Sequence, residues 1–109
     1  PMSTFETNTK GIWNICEAVR QSENPSTAIF QASTSEMFGA TSSNILNELS
    51  SFNPVSPYGV SKVSAFFICQ YFRSAYNLRI TTAISFNHES PLRHEQFITR
   101  KLSIAAAKK

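Results

Sequence analysis

Residues 56–77 carry a helix start, a long apolar stretch and a stop, with a short strand-like run on either side. Ser56 can cap a helix, and Pro57 suits the first helical position, where its missing N–H costs nothing. Residues 57–76 are apolar around most of the girth, which predicts a helix that is buried or lies in a subunit interface. Asn77 ends it. Upstream, Thr27-Ala28-Ile29-Phe30-Gln31-Ala32 is mostly apolar and of strand length, predicting a buried parallel strand. Downstream, residues 79–86 are rich in Ile, Thr and Phe and predict a second strand. Strands alternating with helices imply a parallel sheet with crossovers, and so an α/β fold.

The flanking segments extend this pattern. Residues 8–22 predict a helix, because Ile12, Ile15, Cys16 and Val19 recur at helical spacing with Trp13 beside them. Residues 1–9 read as a chain entering a helix in mid-fold, and Glu23-Asn24-Pro25-Ser26 breaks that helix. Residues 39–54 are polar and aperiodic, which predicts a long loop. A polar loop with Pro91 spans 87–95, and a last helix is expected from about residue 96.

The 109 residues, 41% of them hydrophobic, suffice for one small unit with a modest core. The net charge of +3 is mild. Arg93, Arg100, Lys101, Lys108 and Lys109 gather near the end, either as a solvated helix face or as contacts to phosphate. Aspartate is absent, which argues against a carboxylate-rich metal site. Cys16 and Cys69 sit in apolar helical contexts and read as buried free thiols. No segment approaches membrane-spanning length and no signal peptide is visible, so the expectation is a soluble cytoplasmic chain without membrane or nucleic-acid partners.

Tyr58 and Lys62 are four residues apart in Tyr58-Gly59-Val60-Ser61-Lys62, and so lie one turn apart on one helix face. A nearby ammonium favours phenolate and moves a tyrosine from its usual pKa of about 10 toward the range of a general base. An exposed pair of this spacing can also be plain surface. Thr34 and Glu36 follow an apolar run, at the carboxyl end of a strand, where open α/β sheets bind ligands. Glu36 there either starts a turn or supplies a second acid/base. His88 is either a backbone-satisfied histidine or a ligand contact, and Arg93 either binds an anion or forms a surface salt bridge.

Three stretches together resemble the GDP-mannose 4,6-dehydratase family of the extended short-chain dehydrogenase/reductase superfamily. They are Gln31-Ala32-Ser33-Thr34-Ser35-Glu36-Met37-Phe38-Gly39, Ser56-Pro57-Tyr58-Gly59-Val60-Ser61-Lys62, and Phe86-Asn87-His88-Glu89-Ser90-Pro91-Leu92-Arg93. Phe97-Ile98-Thr99-Arg100-Lys101 extends the third, and the likeness runs over essentially the whole chain. Leu92 and His94 depart from the arginine and glycine common around Arg93 in that family.

The resemblance implies the later half of a Rossmann-like doubly wound parallel sheet, without the N-terminal Gly-rich βαβ unit. On that expectation residues 1–109 are an internal piece of an NADP-binding domain, with substrate-binding elements starting near residue 87. It implies catalytic roles for Thr34, Glu36, Tyr58 and Lys62, and cofactor contacts from Tyr58, Lys62, His88 and Arg93. Thr34, Glu36 and Asn87 would meet the nucleotide sugar. The implied reaction converts GDP-mannose to a 4-keto-6-deoxy sugar on bound NADP, in a homo-oligomeric parent, with the 109 residues alone inactive. A sister epimerase or reductase, or a truncated relative without activity, stays open at this point.

Overall fold

The computed structural model describes residues 1–22, 24, 26–40 and 45–108. The predicted break at Glu23 and Pro25, part of the polar loop at 41–44, and Lys109 of the basic cluster lie outside the described residues.

Helix α1 spans Met2–Gln21. It begins well before residue 8 because its first turns carry no inward apolar stripe to betray them: Met2 is exposed and Phe5 partly so. The buried line is Thr9, Ile12 and Cys16, with Val19 packed against it. Ile15, expected on that line, points to solvent. Trp13 is half-exposed and lies edge-on to Phe72 at 5.2 Å between ring centres. Periodicity alone cannot separate residues one position apart at the border of a stripe.

Strand β1 covers Ala28–Thr34, helix α2 covers Pro57–Tyr76 and strand β2 covers Arg79–Ser85. The strands pair in parallel, from Ala28 opposite Arg79 to Thr34 opposite Ser85, with α2 as the crossover. The α2 limits follow the local signals. The Gly59 N–H donates to Ser56 Oγ at 2.9 Å, and Asn77 closes the helix at φ 54°, a left-handed conformation that asparagine tolerates.

Ile12 and Cys16 of α1, Ala65, Cys69 and Phe72 of α2, Ile29 of β1, Leu78, and Ile80 of β2 form one core cluster. Phe72 is its largest fully buried side chain. Truncating such a residue to alanine typically costs about 3–5 kcal/mol. The strand expected to be buried is buried on one side only. Ile29 and Ser33 face this core, whereas Ala28, Phe30 and Ala32 are exposed, because the cluster lies against only one face of the sheet among the described residues.

A single turn of 3-10 helix, Ser35–Met37, follows β1. Gly39 then adopts φ +50°, and a Cβ there would come 2.0 Å from the Asn53 carbonyl oxygen, so only glycine fits. The Asn53 N–H donates to the Met37 carbonyl at 3.0 Å, and its side chain donates to the Ala40 carbonyl. The predicted long loop thus leaves and returns through one closed neck. Helix α3 spans Ile98–Ala107, close to its expected start, and buries no residue. Among the described residues no helix is long and apolar enough to cross a membrane.

The two thiols are free and fully buried, and both belong to the core cluster shared by α1 and α2. Burial, then the neighbouring Cys69, pushes the Cys16 thiol up to about 11, and burial also raises Cys69. A raised native value means the unfolded chain loses its thiol protons first. The stability conferred by the neutral pair is complete below the ordinary thiol range and is lost as pH climbs toward about 11. Melting temperature should therefore fall more steeply between about pH 8.5 and 11 in the native protein than in a Cys16→Ala variant. Parallel curves would remove the thiols as the cause.

Candidate active site

The site forms where β1 ends and α2 begins. Thr34 is the last residue of β1, and its Oγ1 accepts the Glu36 N–H at 3.3 Å, capping the 3-10 turn. The Glu36 carboxylate then accepts the Ser56 hydroxyl proton, Oγ to Oε2 3.1 Å. Gly59 lets α2 press on this turn: a Cβ there would meet the Glu36 carbonyl oxygen at 2.8 Å. Tyr58 lies in the first turn of α2 and is 37% exposed.

Lys62 reaches back across the gap to the strand. Its Nζ donates to the Ala32 carbonyl at 3.1 Å and stands 5.6 Å from the Tyr58 ring centre. An ammonium has three donors, so this backbone anchor leaves two for a ligand. The first turn of α2 is also pinned from α1. Asn8 Nδ2 donates to Ser61 Oγ at 3.0 Å, and Ser61 Oγ donates to the Tyr58 carbonyl at 2.7 Å.

The segment after β2 closes the other side. His88 Nδ1 lies 3.0 Å from the Phe86 carbonyl. A carbonyl only accepts, so Nδ1 carries the proton in this bond and Nε2 of the neutral ring is an acceptor. The Arg93 guanidinium lies 3.6 Å over the Phe97 ring centre and pairs with Glu89 at 3.4 Å.

Thr34, Glu36, Tyr58, Lys62, Asn87, His88 and Arg93 all line one cleft of about 310 Å³, together with Ala32, Ser33, Ser85 and Phe86. The structure thus brings together every site residue singled out in the sequence. The backbone bond of His88 and the ion pair of Arg93 coexist with their places in the cleft.

Sequence reasoning missed three features. Ser56 holds Glu36 as well as capping α2; the cap was legible from Ser56-Pro57, but its long-range bond was not. The Ala32 carbonyl, invisible in any side-chain motif, holds Lys62. Ser33 is 5% exposed, its Oγ has no hydrogen-bond partner, and it too borders the cleft. Among the described residues no group of three or more His, Cys, Asp or Glu side chains could hold a metal ion.

The family model described as GDP-mannose 4,6 dehydratase matches residues 1–109. A human GDP-mannose 4,6 dehydratase is 47% identical over 83 residues, covering 76% of this chain and 22% of the relative. A Drosophila melanogaster GDP-mannose 4,6 dehydratase is 40% identical over 106 residues, covering 96% of this chain and 27% of the relative. The chain spans about a quarter of the length of the curated relatives it matches. Among solved structures, a dTDP-glucose 4,6-dehydratase from Bacillus anthracis in complex with NAD superposes with a TM-score of 0.85 at 25% identity. The match covers 95% of this chain and 33% of that one. A UDP-glucuronic acid 4-epimerase from Bacillus cereus in complex with NAD shares the fold, with a TM-score of 0.81 at 22% identity over 93% of this chain and 32% of that one.

Proposed function

The chain belongs to the GDP-mannose 4,6 dehydratase family, and from that premise we propose that it carries the catalytic segment of an enzyme that dehydrates GDP-mannose to its 4-keto-6-deoxy product. The observation that carries this reading is the convergence of Thr34, Glu36, Tyr58 and Lys62 on one cleft at the carboxyl end of parallel strands.

A nicotinamide dinucleotide suits the donor set. Lys62 has ammonium donors to spare, the buried Ser33 hydroxyl lacks a partner, and His88 offers Nε2. Neighbours solved with NAD support this class of cofactor, and the NADP form is part of the proposal. Tyr58, Lys62, His88 and Arg93 would hold it. When bound, it supplies the hydride acceptor and later the hydride donor, so none is consumed.

Tyr58 takes the proton from the sugar 4-hydroxyl as the C4 hydride leaves. Lys62 holds a positive charge 5.6 Å from the centre of the Tyr58 ring. Thr34 donates a hydrogen bond to the same sugar oxygen, and Asn87 contacts the sugar. Glu36 removes the C5 proton and assists departure of the C6 hydroxyl as water. Two acid/base groups are needed because oxidation and elimination move protons on different carbons.

Incubating the full-length protein with GDP-mannose and following the nucleotide sugar by mass spectrometry tests the reading. Loss of one water per sugar is expected. A sugar recovered unchanged, or epimerised with its water retained, would reject dehydration.

A further inference from the structure

We propose that Ser56 is a positioning residue for Glu36, setting the acid/base carboxylate of the elimination step against the turn that carries Tyr58. The inference rests on the role given to Glu36 above and extends it to a residue outside the catalytic set.

Ser56 does two things at once. Its Oγ accepts the Gly59 N–H at 2.9 Å, the ordinary duty of an N-cap. Its one O–H is then free to donate, and it goes to Glu36 Oε2 at 3.1 Å, twenty residues away in sequence. An ionised carboxylate only accepts hydrogen bonds, so this pairing matches donor to acceptor. Glu36 is otherwise exposed, at the edge of the loop neck. Its own N–H donates to Thr34 Oγ1, which fixes the backbone of the turn but not the carboxylate. Without the Ser56 hydroxyl the carboxylate loses the bond that ties it to the start of α2.

The same hydroxyl therefore joins the two acid/base groups. It fixes the first turn of α2, in which Tyr58 stands, and it fixes the Glu36 head group. Gly59 makes the arrangement tight, because a Cβ there would meet the Glu36 carbonyl oxygen at 2.8 Å. Misplacing a reacting group by about 1 Å can cost on the order of 100-fold in rate.

Capping and positioning can be separated by chemistry. Ser56→Gly keeps most of the capping stability, since glycine at an N-cap costs only a few tenths of a kcal/mol, but removes the donor. Ser56→Thr keeps both the acceptor and the donor, and the extended backbone at this position, φ −132° and ψ 153°, suits a β-branched residue. In the full-length protein with GDP-mannose, Ser56→Gly should lower product formation by roughly 10-fold to 100-fold. KM should change little, and substrate-driven reduction of the nicotinamide should persist. Ser56→Thr should restore most of the rate.

A double-mutant cycle gives the decisive readout. With Glu36→Gln already in place, Ser56→Gly should produce almost no further loss. Equal losses from Ser56→Gly in both backgrounds would make Ser56 merely structural and overturn the proposal, as would a Ser56→Gly variant with the native rate. Failure of the underlying reading looks different: Glu36→Gln would then itself turn over normally.

Discussion

Tyr58→Phe is expected to lower turnover of GDP-mannose by about 10²–10⁴-fold, the usual contribution of a general acid/base. The change deletes one oxygen. Tyr58 is 37% exposed at the start of α2, and the contacts that set its place come from elsewhere: the Ser56 cap, the Ser61 hydroxyl on its carbonyl, and Lys62 anchored on Ala32. Melting temperature should therefore move little, because surface substitutions away from such features are usually within about 0.5 kcal/mol. Because the missing group acts as hydride leaves C4, rapid-mixing absorbance should show no substrate-driven reduction of the nicotinamide. A variant that still reduces it at close to the native rate would strip Tyr58 of the role.

Glu36→Gln should cost about as much, within about 10²–10⁴-fold, but at a later stage. Glutamine keeps the shape of the side chain, and its amide oxygen can still accept the Ser56 hydroxyl, so the local structure should persist. What is lost is the ability to take a proton. The nicotinamide should become reduced on mixing with substrate and remain so, with little water lost from the sugar. Solvent deuterium should also fail to enter the C5 position. Rapid re-oxidation with normal product would assign the C5 proton to another group. The two variants thus separate two steps that a single rate measurement merges.

The sequence was most legible where signals are local. Ser56-Pro57 and Asn77 gave α2 its two ends, because capping and left-handed termination are decided within one turn. Thr34 and Glu36 were placed at a strand end because a polar run follows an apolar one there. Legibility failed where the third dimension decides. Ile15 and Cys16 are neighbours of similar hydrophobicity, yet only Cys16 meets the core, since the rotation of α1 is set by its packing on α2. The exposure of Phe30 depends on which layers cover the sheet, and no property of a single strand reveals that. The Ser56–Glu36 and Lys62–Ala32 bonds join residues twenty and thirty positions apart. The family likeness supplied the cast of the site; the bonds that hold it had to be seen.

The closed neck at Gly39 and Asn53 ties together the two arms of the chain that flank the site. Both arms are fixed by backbone: Met37 receives the Asn53 N–H, and the Gly39 conformation admits no side chain beside the Asn53 carbonyl. Glu36 lies just before the neck and Ser56 just after it. Phe52 on the returning arm packs on Phe38, Phe66 and Phe67, so the neck clasps the strand end and α2 together, and the carboxylate and the phenol keep their mutual register as parts of one braced corner.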